Sequence, residues 1–273
     1  MLRAQFLTVP FLVLGSLAAT QDLPPAEEQA KAVLDKSPRH GEWMDVKMPA
    51  GGAPIKTWVV YPERKEKAGV VLVIHEIFGL SDWIRAVADQ LAKEGFIAVA
   101  PDLISGKVPG GGGTESAASR DDVVKLIRTL TPDETNARLN AVRAWAVRQP
   151  SANAKSATIG FCWGGSASFA YAAAQPLLNA AVVYYGTAPS DEALAAIKAP
   201  VLGNYGGDDA RVTATVAPTE AAMEKAGKAY EPHAFEGAGH GFLRQQTGKE
   251  GANLKATRAA WPRTIAFLKE NLK

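Results

Sequence analysis

Unbroken apolar runs alternate with amphipathic stretches along most of the chain. Residues 70–75 are apolar up to a terminal His75, the pattern of a strand covered on both faces. Ser81 can cap a helix over 82–93. Gly95 ends that helix, and 96–100 form the next strand. Upstream, 42–48 and 55–61 alternate around Pro49-Ala50-Gly51-Gly52, which predicts a hairpin. Downstream, 121–129 are helical, and Pro132 fits the first turn of a second helix running to about residue 148. A short strand over 156–159 precedes a small-residue helix over 166–174. Strands at 180–185, 201–205 and 228–235 follow. A helix over 219–226 ends at Gly227, and another over 254–272 closes the chain. Strands alternating with helices predict an α/β fold, a doubly wound and mostly parallel sheet with helices on both faces. A nucleotide-binding version of that layout is disfavoured. No G-x-G-x-x-G follows the first parallel strand, and no Walker A run occurs.

Composition changes this picture little. The 273 residues suffice for one large domain, and 47% hydrophobic with 21% charged residues is ordinary for a globular chain. A net charge of +2 gives no reason to expect nucleic acid or an anionic membrane as partner. The N-terminus stands apart. Arg3, an apolar stretch over 6–17 and the small residues Ser16, Ala18 and Ala19 match a secretory signal peptide, cleaved after Ala18 or Ala19. The apolar stretch is shorter than the roughly 20 residues of a spanning helix, so stable membrane insertion is not expected. The expected organisation is a signal peptide over 1–19, a polar lead-in over 20–40 with a short helix around 26–34, and one domain over 41–273. The mature protein is expected in the periplasm or medium, as a monomer.

The chemistry centres on Gly160-Phe161-Cys162-Trp163-Gly164, which has the spacing of a nucleophile elbow with cysteine in the serine position. The strand before it and the helix after it supply the context this motif requires. The turn would lift the thiol clear of the sheet at a helix N-terminus. Cys162 is also the only cysteine, so it cannot form a disulfide within its chain. A base is needed. Of four histidines, His240 lies in the Gly-rich loop Gly237-Ala238-Gly239-His240-Gly241-Phe242, between the last strand and the last helix. An orienting carboxylate should follow an intervening strand, and Asp208 and Asp209 both qualify. Asp209 is preferred, because the turn after the strand uses several residues before the acid. The amides of Trp163 and Ile77 are the expected oxyanion donors.

Five runs together, His75-Glu76-Ile77-Phe78-Gly79, Pro101-Asp102-Leu103, Gly160 to Gly165, Gly206-Gly207-Asp208-Asp209 and Gly239-His240-Gly241-Phe242, resemble the dienelactone hydrolase family over about 42–272. The resemblance implies an α/β-hydrolase with a Cys-His-Asp triad and aligns the family's aspartate with Asp209. It implies that Glu76 sits beside the nucleophile and helps form the thiolate when substrate enters. It also implies two arginines for a substrate carboxylate. Arg244 matches one. Where the second belongs, this chain has Lys107, which lacks the bidentate fork of a guanidinium. The expected partner is a small ester or lactone, cleaved through a thioester acyl-enzyme without metal or organic cofactor. Acyl transfer, a broader carboxylesterase activity, or a non-catalytic binding role on the same fold are the alternatives.

Overall fold

The computed structural model describes residues 22–273, and the expected signal peptide over 1–19 lies outside them. A 3-10 turn, Glu27–Gln29, leads into α1 (Ala30–Leu34). The hairpin β1 (Gly41–Val46) and β2 (Ile55–Val60) follows, then β3 (Ala68–Ile74), α2 (Asp82–Lys93) and β4 (Ile97–Pro101). The central part comprises α3 (Arg120–Ile127), α4 (Pro132–Ala146), β5 (Ala152–Phe161), α5 (Trp163–Ala174), β6 (Ala180–Tyr184) and α6 (Asp191–Ala196). The chain closes with β7 (Val201–Gly206), α7 (Ala210–Thr213), α8 (Val216–Lys225), β8 (Tyr230–Phe235) and α9 (Ala252–Asn271).

The eight strands form one sheet in the order β1-β2-β4-β3-β5-β6-β7-β8. Pairing is parallel from β4 to β8, and the hairpin adds two antiparallel strands at one edge. Alternation along β3 feeds two cores. Val71 and Val73 pack with α2 and α9 on one face, whereas Val70, Leu72 and Ile74 pack with α4 and α5 on the other. This is the α/β-hydrolase arrangement, with helices on both faces as the alternation predicts.

Three local differences from the sequence reading have physical causes. β5 begins four residues early, because polar Asn153 and Lys155 and the positive φ of Ala154 (68°) hide its start. The six-residue α6 was not anticipated. It is held by the Ser190 cap and ends before Pro200, too short to show a helical period. The lead-in before residue 41 carries its expected short helix but packs on the domain where an extended polar segment was expected. Ala26 and Ala30 are buried, and the Trp83 indole donates to the Pro25 carbonyl at 3.0 Å.

Parallel register brings the C-terminal ends of four strands together. Ile74 of β3 aligns with Gly160 of β5, Phe161 aligns with Tyr184 of β6, and Tyr184 aligns with Asn204 of β7. Such a row of strand ends is where open α/β sheets place ligands. No helix among the described residues is long and apolar enough to cross a membrane.

Candidate active site

Cys162 sits between β5 and α5 with φ 56° and ψ −117°. A non-glycine residue in this region costs about 1–3 kcal/mol and persists only where its surroundings enforce it. Two glycines permit the turn. A Cβ on Gly160 would lie 1.9 Å from the Gly164 carbonyl oxygen, and one on Gly164 would lie 2.3 Å from the His75 oxygen. Strand, elbow and helix therefore approach to distances only hydrogen atoms allow.

The thiol is partly exposed, with the backbone amides of Trp163 and Ile77 beside it. Burial raises the thiol pKa first, and the charge of Glu76 raises it further. The two amides and Arg211 oppose them without prevailing. The resting group is thus a protonated thiol. Ile77 lies in the turn after β3, and that turn is tied to the long connection beyond β4. Leu80 N–H donates to Thr114 Oγ1 at 3.0 Å, and Thr114 bonds in turn to the buried Asp102.

His240 Nδ1 lies 2.5 Å from Asp209 Oδ2. Asp209 is buried at the start of α7, whereas the imidazole is about one-third exposed. Asp208, the other acid left open by the sequence, turns outward to Lys249 at 3.2 Å, with both groups half-exposed. The Asp209–His240 pair is thereby brought together and Asp208 is kept out of it. The Tyr185 ring stands 5.1 Å from the His240 ring.

Glu76 is 3% exposed and Arg244 is 8% exposed. Arg244 Nε is 2.9 Å from Glu76 Oε2, but its N–H is not aimed along that contact. The pair is a charge contact without a directed hydrogen bond. Burial accordingly dominates, lifting the Glu76 carboxyl to about 7 against the pull of Arg244. Arg244 was expected to face a substrate carboxylate. In the structure it is shared between Glu76 and Glu27, with the Phe78 ring 5.4 Å away. Lys107, at the place of the second arginine, pairs with Glu134 of α4 at 3.0 Å.

Two residues here were not singled out from the sequence. Glu27 belongs to the N-terminal segment, with no motif around it. Tyr185 directly follows β6 with φ 41°, and its buried hydroxyl has no hydrogen-bond partner among the described residues. The Tyr184-Tyr185-Gly186 run beside the elbow was the available signal, since the strand neighbouring an elbow must end against it. His75 is buried, stacks on Trp163 and bonds only to backbone groups. Among the described residues no group of three His, Cys, Asp or Glu side chains is placed to hold a metal ion.

Comparison with known proteins places this site in context. A carboxymethylenebutenolidase of Pseudomonas putida is 30% identical over 207 residues, covering 75% of this chain and 86% of that protein. A Klebsiella pneumoniae crystal structure, provisionally named a dienelactone hydrolase, superposes with a TM-score of 0.71 at 27% identity, covering 85% of this chain and 99% of the other. A dienelactone hydrolase-like promiscuous phosphotriesterase from metagenomic libraries shares the fold, with a TM-score of 0.70 at 22% identity over 86% of this chain and 99% of its own. The model of the dienelactone hydrolase family matches residues 55–272, nearly the whole sheet with its elbow, acid and histidine loops, and the chain belongs to that family.

Proposed function

We propose that the protein is an exported hydrolase of small esters or lactones that uses Cys162 as nucleophile. One observation carries the reading. Cys162 is held at positive φ in the elbow, at the strand ends that also present the Asp209–His240 pair. The amides of Ile77 and Trp163 beside that thiol suit an oxyanion better than they suit a thiol.

The Cys162 sulfur attacks the substrate carbonyl, and the carbonyl oxygen becomes an oxyanion against the two amides. The thiol proton passes to His240, with Glu76 as a relay, and His240 delivers it to the departing alkoxide. The acyl group is then a thioester on Cys162. His240 next takes a proton from water, whose attack releases the acid and restores the thiol. Asp209 accepts from Nδ1 of His240, fixes the tautomer and steadies the imidazolium. A Glu76 carboxyl near 7 suits this exchange, because its two protonation states are then close in energy at neutral pH. The raised thiol pKa keeps Cys162 protonated until substrate arrives, and a thiol resists oxidation better than a thiolate. The lactone class is favoured by the carboxymethylenebutenolidase name of the Pseudomonas putida relative.

The test is turnover of a panel of 4-nitrophenyl esters and unsaturated lactones by wild type, Cys162→Ala and His240→Ala. Activity is expected to vanish in both variants while the far-UV circular dichroism stays unchanged. Full activity in Cys162→Ala would reject the proposal.

A further inference from the structure

Glu27 precedes the part of the chain matched by the family model, yet its carboxylate reaches Arg244, the ion-pair partner of Glu76. Its Oε2 accepts from Arg244 Nη1, and its Oε1 lies 3.6 Å from Arg120 Nη2. The Arg120 guanidinium is 3.6 Å from the centroid of the Phe78 ring, and that of Arg244 is 5.4 Å from it. Phe78 thus stands between two guanidinium groups that share one carboxylate. The backbone fixes that carboxylate in place. Glu27 N–H donates to the Arg244 carbonyl at 3.0 Å, and Gln246 donates to the Pro24 carbonyl at 2.8 Å. A second anchor lies further back, where Asp22 pairs with Lys93. A cleft of about 290 Å³ opens alongside, lined by Glu27, Phe78, Thr114, Arg120 and Val123.

Glu27 offsets one of the two guanidinium charges, and Glu76, with its carboxyl near 7, offsets part of the other. Without the Glu27 charge, one more positive charge would be left over beside the cleft. Its location matters to the thiol, because Arg244 touches Glu76 and the Glu76 charge is felt at Cys162.

We infer that Glu27 is a specificity-determining residue, whose carboxylate occupies the place on Arg244 and Arg120 that an anionic substrate would need. The site therefore favours neutral esters and lactones. An anionic substrate must displace a carboxylate that the backbone already holds against Arg244, or bring a like charge beside it. This inference rests on the hydrolase reading above and goes beyond it by assigning the charge class of the substrate.

The test uses a matched pair, 4-nitrophenyl hydrogen glutarate and its methyl ester, with the full chain. The readout is the ratio of kcat/KM for acid over ester. In Glu27→Gln this ratio should rise roughly tenfold or more, the scale of a charge-assisted hydrogen bond. The change should appear in KM for the acid and shrink at high salt. Glu27 is partly exposed on a surface segment, so the fold should tolerate the change. Asp22→Asn loosens the same segment at Lys93 without touching Arg244, and its ratio should stay at the wild-type value. An unchanged ratio in Glu27→Gln, or an equal rise in Asp22→Asn, overturns the inference. Calorimetry of methyl hydrogen glutarate on the Cys162→Ala background separates the two claims. There the Glu27→Gln change should tighten binding by a similar factor whether or not Cys162 is the nucleophile, and no tightening would count against Glu27 alone.

Discussion

Glu76 makes a quantitative prediction about stability. Its carboxyl is 3% exposed and is raised from 4.5 to about 7, chiefly by burial. Arg244 opposes the rise, and the nearby Glu27 charge adds to it. The direction of the pH effect follows from which state holds the proton. Below pH 4.5 folded and unfolded chains both carry it, and the stabilising contribution is complete. Between 4.5 and about 7 only the folded chain retains it, so each pH unit removes about 1.4 kcal/mol. Across that window the loss is about 3 kcal/mol, and above it the contribution is gone. Glu76→Gln carries no such proton. Urea unfolding of both proteins at pH 5, 6, 7 and 8 isolates the term, because the other titrating groups largely cancel in the difference. Wild-type stability relative to Glu76→Gln should fall by about 2–3 kcal/mol from pH 5 to 8, with most of the fall below pH 7. Two parallel curves would show that Glu76 titrates normally in the folded protein and refute the reasoning.

Three further outcomes are expected. Asp209→Asn should lower kcat of the proposed reaction by roughly three orders of magnitude or more, since it removes the carboxylate that orients His240, whereas Asp208→Asn should be nearly silent. Steady-state kinetics of the two variants decides this, and a crippling Asp208→Asn would move the acid. Glu76→Gln should alkylate faster than wild type with iodoacetamide at pH 7, because removing the adjacent negative charge eases thiolate formation, yet turn over esters more slowly. Equal alkylation rates would show that Glu76 does not govern the resting thiol. In a secreting host the mature protein should begin at Ala19 or Thr20. Intact-mass measurement checks this, and a membrane-bound product retaining Met1 would contradict export.

The parts of this architecture that depend on local rules were legible in the sequence. The 70–75 run announced β3, and Ser81 with Gly95 bracketed α2 correctly to the residue. The elbow was legible because only glycine fits at positions 160 and 164 once strand and helix approach that closely. The pairing of His240 with an aspartate followed from loop order, with Asp209 preferred over Asp208 on turn length. What escaped depends on distant parts of the chain. Glu27 meets Arg244 across 217 residues, and nothing local to either announces it. The Glu134 that engages Lys107 lies on a different element, so that pair was not legible either. The raised Glu76 pKa comes from burial, a property of packing that no short motif encodes.

The central claim is a covalent one, and it has a direct test. Wild-type protein mixed with a 4-nitrophenyl ester, quenched in acid within the first turnovers and digested, should yield the peptide containing Cys162 with the added mass of one acyl group. The adduct should be sensitive to hydroxylamine, as a thioester is, and absent from Cys162→Ala. Steady hydrolysis by Cys162→Ala at the wild-type rate, or an acyl group found on another residue, would contradict the account.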